Sequence, residues 1–224
     1  MKVKNPENTF VENSLIMNKV LIINASPRAE KSQSRKLTTL FLENWKLKYP
    51  EDSFIYREVG RGCIPHISED WIAAAFKDKA DRTDQDNKAL ELSDELVKEL
   101  KNANIYVLGV PMYNWSIPSA LKAYIDQIMR INETWRFKSG KPDGHYLGLL
   151  QRKKMYILSS RGDSGYSEGE ENEHMNYQTT YLKAVFAIMG INEVEIISLD
   201  NEEYGGERFA NAVREVHLKI QQIE

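Results

Sequence analysis

Five short apolar runs recur along the chain, and after each of them the apolar residues switch to a helical period. The runs are KVLIINA at about 19–25, SFIYREV at 53–59, NIYVLGV at 104–110, KKMYILS at 153–159 and NEVEIIS at 192–198. The stretches that follow place Leu37, Leu40, Phe41 and Trp45 on one helical stripe, then Ala89, Leu92, Leu96 and Leu100, then Leu121, Tyr124, Ile125, Ile128 and Met129. Leu182, Val185, Phe186 and Met189 form a fourth stripe, and Phe209, Val213, Val216 and Ile220 a fifth. Strand followed by helix, repeated to the end, predicts parallel strands joined by right-handed crossovers, with helices on both faces of the sheet. The expected architecture is a three-layer α/β sandwich with a five-stranded parallel sheet of order 2-1-3-4-5, formed as one domain by residues 18–224.

Two connections are too long for simple turns, residues 60–82 and 133–150, and loops of that size usually have a job. The first 17 residues show neither period and are read as a loose extension, with Met17 an equally good start. They have neither the basic start nor the apolar centre of a secretory signal. No apolar run approaches the roughly 18 residues of a membrane span. The lone cysteine, Cys63, has no partner within the chain for a disulfide, so the expected setting is the reducing cytoplasm. Cys63 lies in GRGCIP, and the sixth residue after it is Glu69 rather than an arginine, so a phosphatase-type anion loop is not formed. Thirty basic residues against 33 acidic ones give a net charge of −3, with no basic arm, which argues against nucleic acid as a partner.

In an open parallel sheet, ligands bind beyond the carboxyl ends of the strands where strand order reverses. That directs attention to the loops after the first, third and fourth strands. The first, SPRAEKSQSRK, gathers Ser26, Ser32, Gln33 and Ser34 at the start of a helix, where free N–H groups attract anions. It has no glycine, so it is neither a dinucleotide fingerprint nor a P-loop; a single terminal phosphate suits it, although Ser32 or Ser34 is equally explained as a helix cap. The second, VPMYNWSIPSALKAYID, brackets Met112, Tyr113, Asn114 and Trp115 between Pro111 and Pro118. Backbone donors held there can face a flat heterocycle, and the alternative is aromatic packing against the core. In the third, SSRGDSG, Ser160, Arg161, Gly162 and Asp163 offer a flexible backbone and a positive charge that would favour a reduced flavin, or simply an ordinary turn.

These segments, SQS, PMYNWSIPSALKAYID and SSRG, together with ALELSDELVKELKNANIYVLGVPMYN and TWRFKSGKPDG, resemble the flavodoxin-like FMN-dependent NAD(P)H:quinone oxidoreductases and azoreductases from about Lys19 to the last helix. The resemblance implies that Ser26, Ser32, Gln33 and Ser34 hold the FMN phosphate, that Met112, Tyr113, Asn114 and Trp115 line the ring, and that Ser160, Arg161, Gly162 and Asp163 close its pyrimidine side. Asp163 stands where the family often has a second glycine. The resemblance further implies NADH or NADPH as a transient reductant, a quinone or azo acceptor, and a homodimer whose pocket draws on Trp135, Phe137 and Tyr146. No side-chain catalyst and no metal are expected.

Two rival readings are weighed. GYSEG at 165–169 fits G-x-S-x-G, with His174, His217 and Asp200 as partners for Ser167, but a nucleophile elbow needs a sharp turn from strand to helix, and this segment is a charged loop. A flavodoxin-type electron carrier would share the fold and cofactor, yet such carriers are strongly acidic and use a Thr/Ser-Gly phosphate loop. The acidic stretch SEGEENEHM at 167–175 is read as a solvated loop, and the four histidines share no metal-ligand spacing.

Overall fold

The computed structural model describes residues 17–138 and 145–223. Its strands are β1 (Lys19–Asn24), β2 (Ser53–Glu58), β3 (Ile105–Pro111), β4 (Trp135–Phe137), β5 (Tyr146–Gly148), β6 (Lys154–Ser160) and β7 (Glu193–Leu199). Its helices are α1 (Gln33–Lys48), α2 (Glu69–Ala75), α3 (Asp84–Asn102), α4 (Ser119–Ile128), α5 (Thr179–Ile188) and α6 (Gly206–Gln221). Apart from Met17, the expected N-terminal extension lies outside the described residues, as do residues 139–144 of the KSGKPDG stretch.

Each strand alternates its side chains between two cores, the period of two that pleating imposes. In β1, Leu21 and Ile23 join Tyr106, Leu108, Met155 and Ile157 under α3, α4 and α5. Val20 and Ile22 face the other way, with Val107, Tyr156 and Leu158, beneath Leu37 and Phe41 of α1 and Val216 and Ile220 of α6. The three layers follow directly from that alternation. Fully burying one such aliphatic side chain is worth about 1.5–3 kcal/mol, so the central strands carry most of the driving force. Every residue of β3 is buried, while β2, at the sheet edge, is largely half-exposed.

The main sheet is parallel and ordered β2-β1-β3-β6-β7. The expected label 2-1-3-4-5 therefore needs correction. Two further strands, β4 and β5, come between the third and fourth strands of the sheet in chain order and pair with each other as a separate antiparallel hairpin. Three residues each, with Trp135, Phe137 and Tyr146 stacked edge to face or tilted at centroid distances of 5.1, 5.3 and 6.0 Å, they left too short a pattern to read as strands.

The other long connection is also structured. Ser68 caps α2 through its side chain, and a 3₁₀ turn at Lys79–Asp81 leads into α3. Trp71 is buried, and its indole Nε1 donates to Gln127 Oε1 of α4 at 2.8 Å; Gln127 Nε2 in turn donates to the Pro65 carbonyl at 2.9 Å. The Arg130 guanidinium lies 5.6 Å from the Trp71 ring centre. Trp71→Phe keeps much of the packing but leaves the Gln127 oxygen without its donor in a buried place. Its urea midpoint is expected to fall by the equivalent of about 1–3 kcal/mol; an unchanged midpoint would show that the tie contributes nothing.

Candidate functional site

The loops after β1, β3, β6 and β7 all emerge at one end of the sheet and enclose a cleft. One part, of about 290 Å³, lies between Ser26, Ser32, Gln33, Met112, Tyr113, Ser160 and Gly162. A second part, also about 290 Å³, shares Met112 and Gly162 and extends past Asn114, Trp115, Asp163 and Tyr166. Ten of the twelve residues expected at a site thus meet around one space. Ser34 and Arg161 do not line it.

The serine loop is held by features that local sequence does not reveal. Ser26, Ser32 and Ser34 are all buried. Ser32 is the N-cap of α1, its Oγ accepting from Arg35 N–H at 3.3 Å, and it also sits 3.2 Å from Ser34 Oγ. Capping and lining the cleft are therefore done by the same residue. The first-turn N–H groups of Gln33 and Ser34 have no intrahelical acceptor and bring the positive end of the helix to the cleft. Ser26 Oγ accepts from Arg28 N–H at 3.2 Å.

Around this loop runs a bracket made by Arg35. Its Nε donates to the Arg28 carbonyl at 2.8 Å and its Nη2 to the Ser26 carbonyl at 2.6 Å, while Nη1 and Nη2 meet the two oxygens of Glu58 at 2.7 and 2.5 Å. Glu58 also accepts from Arg61 N–H at 3.0 Å. Behind the loop, Gly60 lies so close that an added Cβ would stand 2.3 Å from the Ser26 carbonyl carbon, so only glycine fits. Burial alone would push the Glu58 carboxyl up, but the hydrogen bonds from Arg35 and from Arg61 N–H outweigh it and hold the group below the usual carboxylate range. A carboxyl depressed in the folded chain stabilises it above the unfolded value of 4.5, and that contribution disappears as pH falls through the lower, folded value. Glu58→Gln is accordingly expected to lower the urea midpoint at neutral pH by the equivalent of at most about 1 kcal/mol, given the exposure of the pair. The difference from the native chain should close in acid; a difference independent of pH would contradict this assignment.

In the second loop the source of rigidity differs from expectation. Tyr113 and Ser116 exchange both backbone hydrogen bonds at 3.0 Å, and Asn114 and Trp115 between them have φ of 49° and 62°. This is a two-residue turn of the mirror-image type, with both central residues in the left-handed region, which is costly for a bulky tryptophan. Met112 N–H donates to the Ser160 carbonyl at 2.8 Å. The N–H groups of residues 112 and 113 are thus engaged within the protein, so the backbone donors that this segment can offer the cleft are those of Asn114 and Trp115. The Trp115 ring is 50% exposed, so packing against the core does not explain it.

The third loop sets its cation apart from the cleft. Arg161 turns its guanidinium away from the cleft, toward Gln178 Oε1 at 3.2 Å and Thr179 Oγ1 at 3.4 Å, and under the Tyr166 ring at 5.3 Å. Burial pushes its pKa down. The charge expected beside a bound ring lies behind Tyr166 instead, and Arg161 meets the neighbouring loop through its backbone: its N–H donates to Leu199 O and its carbonyl accepts from Glu202 N–H. Asp163 does line the cleft.

Arg28, Glu202 and Glu203 line the cleft although the sequence reading did not single them out. The signal was there in DNEE, which follows the fifth strand of the sheet and so emerges at the same end. Glu203 N–H donates to the Gly162 carbonyl at 3.0 Å, and a Cβ at Gly162 would stand 2.6 Å from the Glu203 carboxyl carbon.

Ser167 is exposed in its loop, its N–H held by Glu170 Oε2 at 2.8 Å. It shares a separate cavity with Asp200, whereas His217 lines a groove along α1, so Ser167 and His217 are not brought together. Among the described residues no cluster of three or more His, Cys, Asp or Glu is placed to hold a metal ion, and no helix is long and apolar enough to cross a membrane. Cys63 is exposed and unpaired in a disulfide.

Known proteins share this fold. A family described as having a flavodoxin-like fold matches residues 18–223. The chain is 43% identical over 205 residues to FMN-dependent NADH:quinone oxidoreductase 1 of Trichormus variabilis, covering 92% of this chain and 95% of that one. It is 38% identical over 205 residues to FMN-dependent NAD(P)H:quinone oxidoreductase 1 of Pseudomonas aeruginosa, covering 91% and 97%. Among solved structures, an FMN-dependent NADH-azoreductase from Bacillus anthracis in complex with FMN superposes with a TM-score of 0.79 at 27% identity, over 92% of this chain and 97% of that one. With a five-stranded parallel sheet, a serine-lined cleft at the ends of its strands and likeness along nearly its full length, the chain belongs to the flavodoxin-like family of FMN-dependent NADH:quinone oxidoreductases.

Proposed function

We propose that the protein is an FMN-dependent oxidoreductase that takes reducing equivalents from NAD(P)H and delivers them to a quinone or azo acceptor. The observation that carries this reading is the meeting of the serine loop, the aromatic turn and the 160–163 loop around one cleft in a chain so similar to such enzymes. When bound, FMN supplies the redox chemistry, accepting hydride from the nicotinamide and passing electrons onward. The chain's own residues then need only to bind and orient, so no side-chain nucleophile is required.

The residues fit such a group. A monophosphate matches the hydroxyls and free N–H groups at the start of α1, with Ser26, Ser32 and Gln33, which line the cleft, and the first-turn N–H of Ser34 as its ligands. Met112, Tyr113, Asn114 and Trp115 are assigned to the ring, and Ser160, Gly162, Asp163 and the backbone of Arg161 to its pyrimidine edge. Asp163, a carboxylate at that edge, would disfavour added electrons and lower the potential of the bound cofactor. The exposed rings of Phe137 and Tyr146, 57% and 54% exposed, are assigned to the wall that one protomer offers the other in a homodimer. The reaction is read as ping-pong, the nicotinamide leaving before the acceptor enters, in a cytoplasmic setting.

The full-length protein is expected to purify with FMN or to take it up, its flavin band bleaching under anaerobic NADH and returning on addition of a quinone. Steady-state lines at varied acceptor should be parallel. A protein that takes up no FMN sinks the proposal, and one that binds FMN without oxidising NADH or NADPH is an electron carrier instead. Tyr113→Ala and Asn114→Ala should each weaken FMN retention or slow turnover by on the order of tenfold, about 1.4 kcal/mol. Native behaviour in both variants would remove the turn from the site.

A further inference from the structure

The cleft presents an electrostatic puzzle. Its wall on the β7 side carries two carboxylates, Glu202 and Glu203, and they are fixed there by backbone: Glu202 N–H donates to the Arg161 carbonyl at 3.1 Å and Glu203 N–H to that of Gly162 at 3.0 Å. Anions so placed oppose the entry of a phosphate into the serine loop. Arg28 is the one cation among the residues lining this part of the cleft. Its Nη1 donates to Glu202 Oε1 at 3.1 Å, bridging the loop after β1 to the loop after β7. Arg35, which brackets the serine loop, is occupied by two carbonyls and by Glu58.

We propose that Arg28 is the phosphate-binding cation of this cleft and that Glu202 holds it in competition with the ligand. The inference rests on the flavin reading of the site and adds to it a residue and a device that the serine loop alone does not supply. Arg28 is anchored at its backbone on both sides, by Ser26 Oγ on its N–H and Arg35 Nε on its carbonyl, whereas its side chain stays 48% exposed and free to pivot. A guanidinium has five donors in a planar fork, and a single one meets Glu202, so the remaining donors are open to a phosphate monoester. Glu202 thus pre-positions Arg28 when the cleft is open, and it lowers the affinity for phosphate by the cost of giving the cation up.

The two partners therefore have opposite effects on binding, which a merely structural clasp would not show. FMN and riboflavin, which lacks the phosphate, are titrated by fluorescence quenching into the flavin-stripped full-length protein and its Arg28→Gln and Glu202→Gln variants. Arg28→Gln is expected to raise the Kd for FMN about tenfold, the size of one charge-assisted hydrogen bond, and to leave riboflavin within about twofold of native. Glu202→Gln should tighten FMN about threefold, again without effect on riboflavin. Equal weakening of both flavins by Arg28→Gln, an unchanged Kd for FMN, or weakening of FMN by Glu202→Gln would each overturn the assignment while the flavin reading stands. A native chain that binds neither flavin would overturn both.

Discussion

A parallel sheet covered on both faces can display polar groups only at its two ends, because everything between must be buried with its backbone paired to neighbouring strands. In this protein β3 and β6 are buried almost throughout, so the loops at their carboxyl ends are the first places where the chain meets water. The cleft exists because β1, β3, β6 and β7 are adjacent and point the same way, which brings four loops from distant parts of the sequence to one rim. Every feature of the site depends on that placement.

Order within the rim comes from bonds between loops rather than within them. The Arg35 bracket links two carbonyls of the serine loop to Glu58 at the end of β2, and Gly60 lets the chain after β2 lie against Ser26. Turning carbonyls outward toward a guanidinium leaves the loop's hydroxyls and N–H groups for the cleft, which is the polarity an anion needs. On the far side, the loop after β7 is joined to the loop after β6 by backbone hydrogen bonds that commit Glu202 and Glu203 to the wall. The seat is thus electropositive at the start of α1 and electronegative opposite, with Arg28 between them.

The aromatic turn achieves stiffness by a different route from the one its prolines suggested. Pro111 ends β3 and Pro118 caps α4, but the shape between them is set by the reciprocal bonds of Tyr113 and Ser116 and by two left-handed residues. Holding Asn114 and Trp115 there costs conformational energy, and the strain is located beside the cleft, where a fixed, exposed ring has a use.

From the sequence alone came the strands of the main sheet, to within a residue at each end, the helical stripes, and the loops after β1, β3 and β6 as the place to look. Those are properties of period and punctuation, which depend on near neighbours in the chain: Val20 and Ile22 alternate with Leu21 and Ile23 whatever else folds around them. Tertiary structure decided which way Arg161 points, that Arg35 is spent on Glu58, that the rim has a fourth loop carrying Glu202 and Glu203, and that Arg28 reaches across to it. The physical reason is separation: Arg35 and Glu58 are 23 positions apart and Arg28 and Glu202 are 174 apart, and a charged side chain carries no mark of its partner until the sheet brings the two within 3.1 Å or less.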